Sequence, residues 1–204
     1  MNFALTKEKM AALAQVEPWT WIALLYGAQV LGAAGAAAVF GLEPRQMILP
    51  IALLVMGTLH AVVVRSSGGR VGPRMLHHWV PAAIYCLFIY SLSNESFSGA
   101  DVGINVNFFH PVEYAFLAIF FCWMGHAMLP SRGAAPLIRR VLAGGMAFAV
   151  SDEIHQSFIP GRMPSCFDLL LDFIGLSLGC SIFFLGRRFR RSCSVRAMGD
   201  EPIA

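Results

Sequence analysis

Six apolar runs divide this chain, and each is long enough to cross a lipid bilayer as a helix. A transmembrane helix needs about 20 predominantly apolar residues. Hydrophobic residues make up 57% of the 204 positions and charged residues only 13%, which excludes a typical soluble domain. The runs lie at residues 18–41, 46–64, 76–93, 108–129, 137–158 and 167–186. The sequence therefore predicts an all-α membrane protein, a polytopic helical bundle of about six transmembrane helices.

The basic residues indicate how such a bundle is oriented. In a six-span arrangement, all but two of the 15 Lys and Arg residues lie on one side, in the N-terminal segment, loops 65–75 and 130–140, and the C-terminal segment. The other side holds only Arg45 and Arg162. Because cytoplasmic loops carry an excess of Lys and Arg, we expect both termini in the cytoplasm. The Arg-rich C-terminal segment is typical of an anchor near anionic lipid, so no nucleic-acid partner is expected.

Polar residues concentrate on the opposite, extracytoplasmic side. The stretch 151–172 contains carboxylates, a histidine, a glutamine and an arginine between two apolar runs. The orientation places it beside the end of the third run, Ser91 to Glu95, and beside the start of the fourth. Ionisable groups in a membrane are costly unless they pair or face a cavity. The sequence therefore predicts a polar pocket that faces the extracytoplasmic side.

Helical spacing groups these polar residues, because residues three or four apart share a helix face. Three sets have this spacing: His110, Glu113 and Tyr114; Asp152, His155 and Gln156; and Asp168 with Asp172. Glu153 lies about 100° from Asp152 around a helix, so we expect at least one of them to point elsewhere. Pro160 and Gly161 should end the fifth helix, since proline lacks an amide donor and glycine permits positive φ.

The residue types suggest the chemistry of this pocket. The predicted catalytic residues are Asp152, His155, Arg162 and Asp168. His155 can act as a general base or nucleophile oriented by either Asp, and Arg162 can hold an anionic oxygen. The predicted substrate contacts are Ser93, His110, Glu113, Tyr114, Glu153, Gln156 and Asp172. We therefore expect a protein that binds or processes a polar or phosphate-bearing lipid head group or a cell-envelope precursor, and leave open whether it is an enzyme.

Other functions fit the same residues. A divalent metal such as Zn²⁺, Mn²⁺ or Fe²⁺ suits carboxylate–histidine pairs at i, i+3 spacing in a bundle. Those residues are His110, Glu113, Asp152 and His155. A proton- or cation-coupled transporter is a further alternative, although the polar groups crowd one interface rather than the membrane midplane. In a purely structural alternative, Arg162 pairs with Asp168 or Glu153.

Small residues dominate the second half of the first run, from Gly32 to Ala38. Such a smooth surface allows close helix packing. Whether the contact lies within one subunit or between two stays open, as does the oligomeric state. The expected partners are the lipid bilayer and a lipid or envelope-precursor substrate.

The polar stretch resembles the signature of the VanZ-like family of membrane proteins. The residues that carry the resemblance are Asp152-Glu153-Ile-His155-Gln156-Ser-Phe-Ile-Pro160-Gly161-Arg162, then Asp168 and Gly175. Ser91-Leu-Ser93 and His110-x-x-Glu113-Tyr114 resemble the family's other two polar blocks, in the same order. The resemblance covers about residues 76–186 and implies a VanZ-like core of four membrane helices. Residues 1–75 would then add an N-terminal tail and two extra helices, and residues 187–204 a basic cytoplasmic tail.

Two positions depart from the family pattern. The resemblance implies Asn where this chain has Asp172, and Lys where it has Asn107. The family's namesake is associated with resistance to the glycopeptide teicoplanin. The resemblance therefore also implies the cytoplasmic (inner) membrane of a bacterium, and a non-catalytic role in glycopeptide resistance or envelope stress as a further alternative.

Overall fold

The structure is a computed structural model that describes Ala12 and residues 15–68, 74–95, 109–129 and 133–198. Within this part of the chain, six helices are long and apolar enough to cross a membrane. They are α1 (Pro18–Val39), α2 (Pro44–Ser66), α3 (Arg74–Ser93), α4 (His110–Met128), α5 (Ala134–Gln156) and α6 (Cys166–Met198). The prediction of a multi-pass, all-α membrane protein with six spans is confirmed.

Successive helices run in opposite directions, so the bundle has two distinct ends. At one end α1, α3 and α5 finish and α2, α4 and α6 begin, and we call this the polar end. There the hydroxyl of Ser93 on α3 lies 2.8 Å from the carboxylate of Asp152 on α5. At the opposite end Arg190 of α6 donates a hydrogen bond of 2.8 Å to the carbonyl of Val16, just before α1.

Helices α4 and α6 approach each other closely because α6 carries glycines where the two helices meet. A Cβ atom at Gly175 would overlap the backbone of Pro111, and one at Gly179 would overlap the backbone of Ala115. Small residues at such contacts let transmembrane helices pack backbone to backbone. This packing brings Asp172, one turn before Gly175, next to the first turn of α4.

Helix α1 packs most tightly against the bundle along its first half, where all its buried residues lie. The fully buried ring of Tyr26 stacks on Phe120 of α4 with 4.6 Å between centroids. In the second half, a Cβ atom at Gly32 or Gly35 would meet no atom within 4 Å. Gly32 and Gly35 therefore do not provide close packing among the described residues, and they leave space beside the bundle.

Helix α6 is longer than the predicted sixth run. It continues past residue 186 to Met198, so the first part of the predicted basic tail is helical. Arginine is a good helix former, and the guanidinium carbon of Arg187 lies 5.9 Å from the ring centre of Phe183, one turn earlier. At the other end of the bundle, α5 stops at Gln156 and Gly161 follows with a φ of 86°, as the predicted turn requires.

Candidate functional site

The buried Ser, His, Asp, Glu and Gln side chains of the described residues all lie at the polar end. They come from α3, α4, α5 and α6, and we call them the polar cluster: Ser91, Ser93, His110, Asp152, Glu153, Gln156, Asp168 and Asp172. Most protein interiors avoid such groups unless they are hydrogen-bonded or paired. The convergence predicted from the sequence is therefore present in the folded chain.

Asp152 links α5 to the end of α3. Its Oδ2 accepts hydrogen bonds from the hydroxyl of Ser93 at 2.8 Å and from the amide of Gln156 at 3.1 Å. Gln156 follows Asp152 by one helical turn, so both side chains lie on the same face of α5. The second oxygen, Oδ1, has no hydrogen-bond partner among the described residues. Oδ2 is thus held by two hydrogen bonds, and Oδ1 can accept a bond from a bound group.

His110 and Asp172 form a buried pair between α4 and α6. The imidazole Nδ1 donates to Oδ1 of Asp172 across 2.9 Å. Only 1% of Asp172 is exposed, so this carboxylate is held away from solvent. A carboxylate bonded to one ring nitrogen fixes the orientation of an imidazole and leaves the other nitrogen for chemistry. The departure from the family pattern at Asp172 therefore places a carboxylate directly against His110.

Glu153 points towards the segment before α6. Its Oε2 accepts a 2.7 Å hydrogen bond from the backbone amide of Ser165, and its Oε1 has no hydrogen-bond partner in the described part of the chain. Asp152 and Glu153 therefore have different partners, as their angular separation suggests, but both are buried at the polar end. Asp168, in the first turn of α6, is also buried.

The side-chain hydrogen bond of His155 goes to the end of α3 and not to the carboxylates predicted to orient it. Its Nε2 donates to Oδ1 of Asn94 across 2.8 Å, and its ring lies 4.4 Å from that of Tyr90. These contacts place His155 on the α3 side of α5, half-buried, away from the pair formed by His110 and Asp172. His110 therefore replaces His155 as the histidine that a buried carboxylate orients.

Arg162 is held by the end of α3. Its guanidinium donates to the carbonyl of Glu95 through Nη2 at 2.9 Å and through Nε at 3.2 Å, and Nη2 also lies 3.4 Å from the carbonyl of Leu92. The last carbonyls of a helix lack donors within the helix, so a guanidinium is well placed there. The loop after Gly161 thus fixes the charge of Arg162 beside the polar cluster.

A cavity of about 390 Å³ opens beside this site. Its polar lining residues at the polar end are Ser93, His110, Glu113, Gln156 and Arg162. The remaining walls are mostly apolar and come from the second half of α1, the start of α2, and the facing sides of α3 and α4. The predicted contacts Ser93, Glu113 and Gln156 therefore share one space, whereas Tyr114 is fully buried and its hydroxyl has no hydrogen-bond partner within the described ranges.

Two further polar residues line the cavity and were not predicted from the sequence. The hydroxyl of Tyr85 donates to Oε1 of Gln29 across 2.6 Å, and both side chains line the cavity. Gln29 is the only amide side chain in the apolar run 18–41, and that exception is the signal that could have identified it. Tyr85 offers no comparable signal, since tyrosine is ordinary in a membrane span.

The predicted metal ligands do not form one group. Among the described residues, the donor atoms that lie within 4.8 Å of one another belong to His110, Glu153 and Asp172. Of the predicted set of four, only His110 is retained in this group. Asn107, the other departure from the family pattern, lies outside the described residues.

Most of this chain matches a known protein family. The family model described as VanZ/LLP1 matches residues 46–187. This range starts before the resembling segment 76–186, and it contains α2 except for the first two residues of that helix. Comparison with curated proteins and with solved structures finds no match. Because the family model covers more than half of the 204 residues, the chain belongs to the VanZ/LLP1 family.

Proposed function

We propose that this protein binds an amphipathic lipid, either a membrane lipid or a lipid-linked envelope precursor, and holds its polar or phosphate-bearing head group at the polar end. The observation that carries the proposal is the cavity of about 390 Å³, whose polar lining converges at one end while its other walls are largely apolar. Small-molecule sites typically occupy about 300–1,000 Å³ and combine apolar walls with a few placed polar groups.

The apolar walls suit a hydrocarbon chain. Helix α1 contributes small side chains, among them Ala28, Gly32 and Ala33, and α4 contributes Phe116. Each methylene transferred from water to such a surface gains about 0.8 kcal/mol, and the gain is smaller when the chain comes from lipid. The walls therefore select for shape and position, and the polar end has to supply the preference for one head group.

The polar end offers complementary groups to a phosphate ester. Arg162 supplies a fixed positive charge, and guanidinium groups bind phosphate oxygens through paired hydrogen bonds. Glu113 and Gln156 line the same end and can bind hydroxyl or amine groups of the head. His110, oriented by Asp172 at 2.9 Å, is the group suited to move a proton if the head group is processed.

We further propose that the chain lies in the cytoplasmic membrane of a bacterium, with both termini in the cytoplasm and the polar end outside. The distribution of Lys and Arg supports this orientation. Cys166, exposed at the start of α6, should react with an impermeant thiol reagent added to intact cells after the other cysteines are replaced. A Ser66→Cys variant in a cysteine-free chain, at the opposite end, should react only after the membrane is disrupted. The reverse pattern would invert the orientation.

Lipid titration of the purified protein tests the head-group proposal. The protein is stripped of lipid in detergent and titrated with phosphatidic acid or with diacylglycerol of the same chains, and adducts are counted by native mass spectrometry. We expect one saturable phosphatidic acid adduct and much weaker diacylglycerol binding, because only the first lipid carries a phosphate for Arg162. Arg162→Gln should remove most of this preference.

A matched pair of glycines on α1 tests whether the lipid occupies the cavity. Gly32 lines the cavity and Gly35 does not, and an added Cβ would meet no atom at either position. Gly32→Leu should therefore displace the lipid, while Gly35→Leu should leave binding unchanged. Equal binding of the two lipids, or equal effects of the two leucines, would contradict the proposal.

A further inference from the structure

Three buried polar atoms at the polar end have no hydrogen-bond partner in the described part of the chain. They are Oδ1 of Asp152, Oε1 of Glu153 and the hydroxyl of Tyr114. Two of the three are carboxylate oxygens, which can only accept hydrogen bonds or bind cations when ionised. A buried acceptor without a donor is costly, so its neighbourhood is where a bound group is expected.

The donor atoms around Glu153 have the arrangement of a metal site. One ligand atom each from His110, Glu153 and Asp172 lies within 4.8 Å of the others, and all three residues are buried. We propose that these three side chains bind a divalent transition-metal ion. One imidazole nitrogen with two carboxylates is a ligand set typical of Zn²⁺, Mn²⁺ and Fe²⁺.

The charge at the polar end favours a cation. Asp152, Glu153, Asp168 and Asp172 are all buried there, and both Asp152 and Asp168 act electrostatically on Asp172. Buried carboxylates repel one another unless protons or cations neutralise them. A divalent ion among three of these side chains neutralises two charges at once, which the single guanidinium of Arg162 cannot do.

The local geometry already orients one ligand. The backbone amide of Ser165 binds Oε2 of Glu153 at 2.7 Å, which leaves Oε1 as the free donor. Metal ligands are usually held by hydrogen bonds of this kind from a second layer of residues. The bond from Ser165 therefore holds one oxygen of Glu153, and the other can bind a metal ion.

Binding needs only small side-chain movements. Ligand atoms around a tetrahedral zinc lie roughly 3.3 Å apart, compared with the 4.8 Å that encloses the present group. The metal would take the place of the proton between Nδ1 of His110 and Oδ1 of Asp172. A neutral imidazole then carries its single proton on Nε2, and an imidazolium releases one proton to solvent, because imidazole binds metals in its neutral form. The inference does not depend on the lipid proposal, since every ligand comes from the protein.

Metal binding is measured on the full chain, purified in detergent without a histidine tag and treated with chelator. Zn²⁺ is then titrated by calorimetry, and the retained metal is counted by mass spectrometry. We expect one equivalent per chain. Glu153→Gln and Asp172→Asn keep the shape of each side chain, and each should weaken binding by more than the roughly 10–100-fold that a second-layer change costs.

Two histidine variants distinguish binding at this site from binding at other histidines. His110→Gln should abolish binding, while His126→Gln, on the same helix α4 at its far end, should leave it unchanged. The rings of His60 and His77 lie 5.5 Å apart at the opposite end of the bundle and form a competing histidine pair. Zn²⁺ binding that is lost in His77→Asn but retained in Glu153→Gln overturns the inference, as does the absence of binding by the wild-type chain. Lipid titration repeated in chelator shows separately whether the head-group proposal holds.

Discussion

Gly179→Ala should destabilise the protein, although alanine is the better helix former. The added Cβ at position 179 would overlap the backbone carbonyl of Ala115 and the side chain of Ala118 on α4. None of these atoms can move aside as a flexible side chain can, so the two helices have to separate. That separation matters for the site, because the same contact holds His110 against Asp172.

The expected magnitude follows from a matched glycine. A Cβ at Gly144, on the exposed face of α5, would meet no atom within 4 Å. Replacing a helical glycine by alanine gains about 0.5–1 kcal/mol where nothing is in the way. Both variants share this gain, so it cancels in their difference. What remains is the cost of overpacking, typically about 1–3 kcal/mol.

The assay is reversible unfolding in mixed detergent micelles with increasing dodecyl sulfate, followed by helicity. We expect Gly144→Ala to unfold at slightly higher dodecyl sulfate than the wild type and Gly179→Ala to unfold at lower. If the two variants shift in the same direction by the same amount, α4 and α6 are not in backbone contact at this position. The placement of Asp172 beside His110 would then lose its structural basis.

The same unfolding assay tests two further pairs. Tyr85→Phe should cost about 1 kcal/mol because Gln29 loses its 2.6 Å hydrogen-bond donor in an apolar helix, whereas Tyr114→Phe removes a hydroxyl without a partner and should cost close to nothing. Gly161→Ala should destabilise by about 1–2 kcal/mol since alanine is strained at positive φ, and Gly133→Ala, at a φ of −60°, should not. A penalty at Tyr114 or Gly133 as large as that of its counterpart would refute the corresponding explanation.

The number of helices and the polar end were predictable from the sequence because both depend on local properties. An apolar run of about 20 residues and a skewed distribution of arginines constrain a membrane chain strongly. Helical spacing also identified five members of the polar cluster, since residues on one helix keep their relative angles: His110, Asp152, Gln156, Asp168 and Asp172. The turn at Gly161 was predictable for the same local reason.

Pairing between helices was not predictable, because it depends on how the helices rotate and approach each other. Nothing in the spacing of His110 and Asp172 along the chain indicates that they meet, and their contact depends on the glycines of α6. The same rotation turns the side chain of His155 towards Asn94, with which it forms a hydrogen bond, instead of towards Asp152. The extension of α6 was missed because hydropathy marks where a membrane span ends, whereas a helix of arginines can continue beyond it.

The cavity is lined by two parts of the chain, one inside and one outside the range that the family model matches. Its polar lining at the polar end, including His110 and Arg162, lies within residues 46–187, the range that the family model matches, while Gln29 and the small residues near Gly32 belong to α1 outside that range. If the proposed function holds, the shared part binds the head group and α1 shapes the space for the hydrocarbon chain. Substitutions of Gly32 or Ala33 by larger apolar residues should then change which chain lengths bind without changing the preference for phosphate, because they add no charged or hydrogen-bonding group. Conversely, a change at Arg162 should alter the head-group preference and leave the chain-length preference as it is.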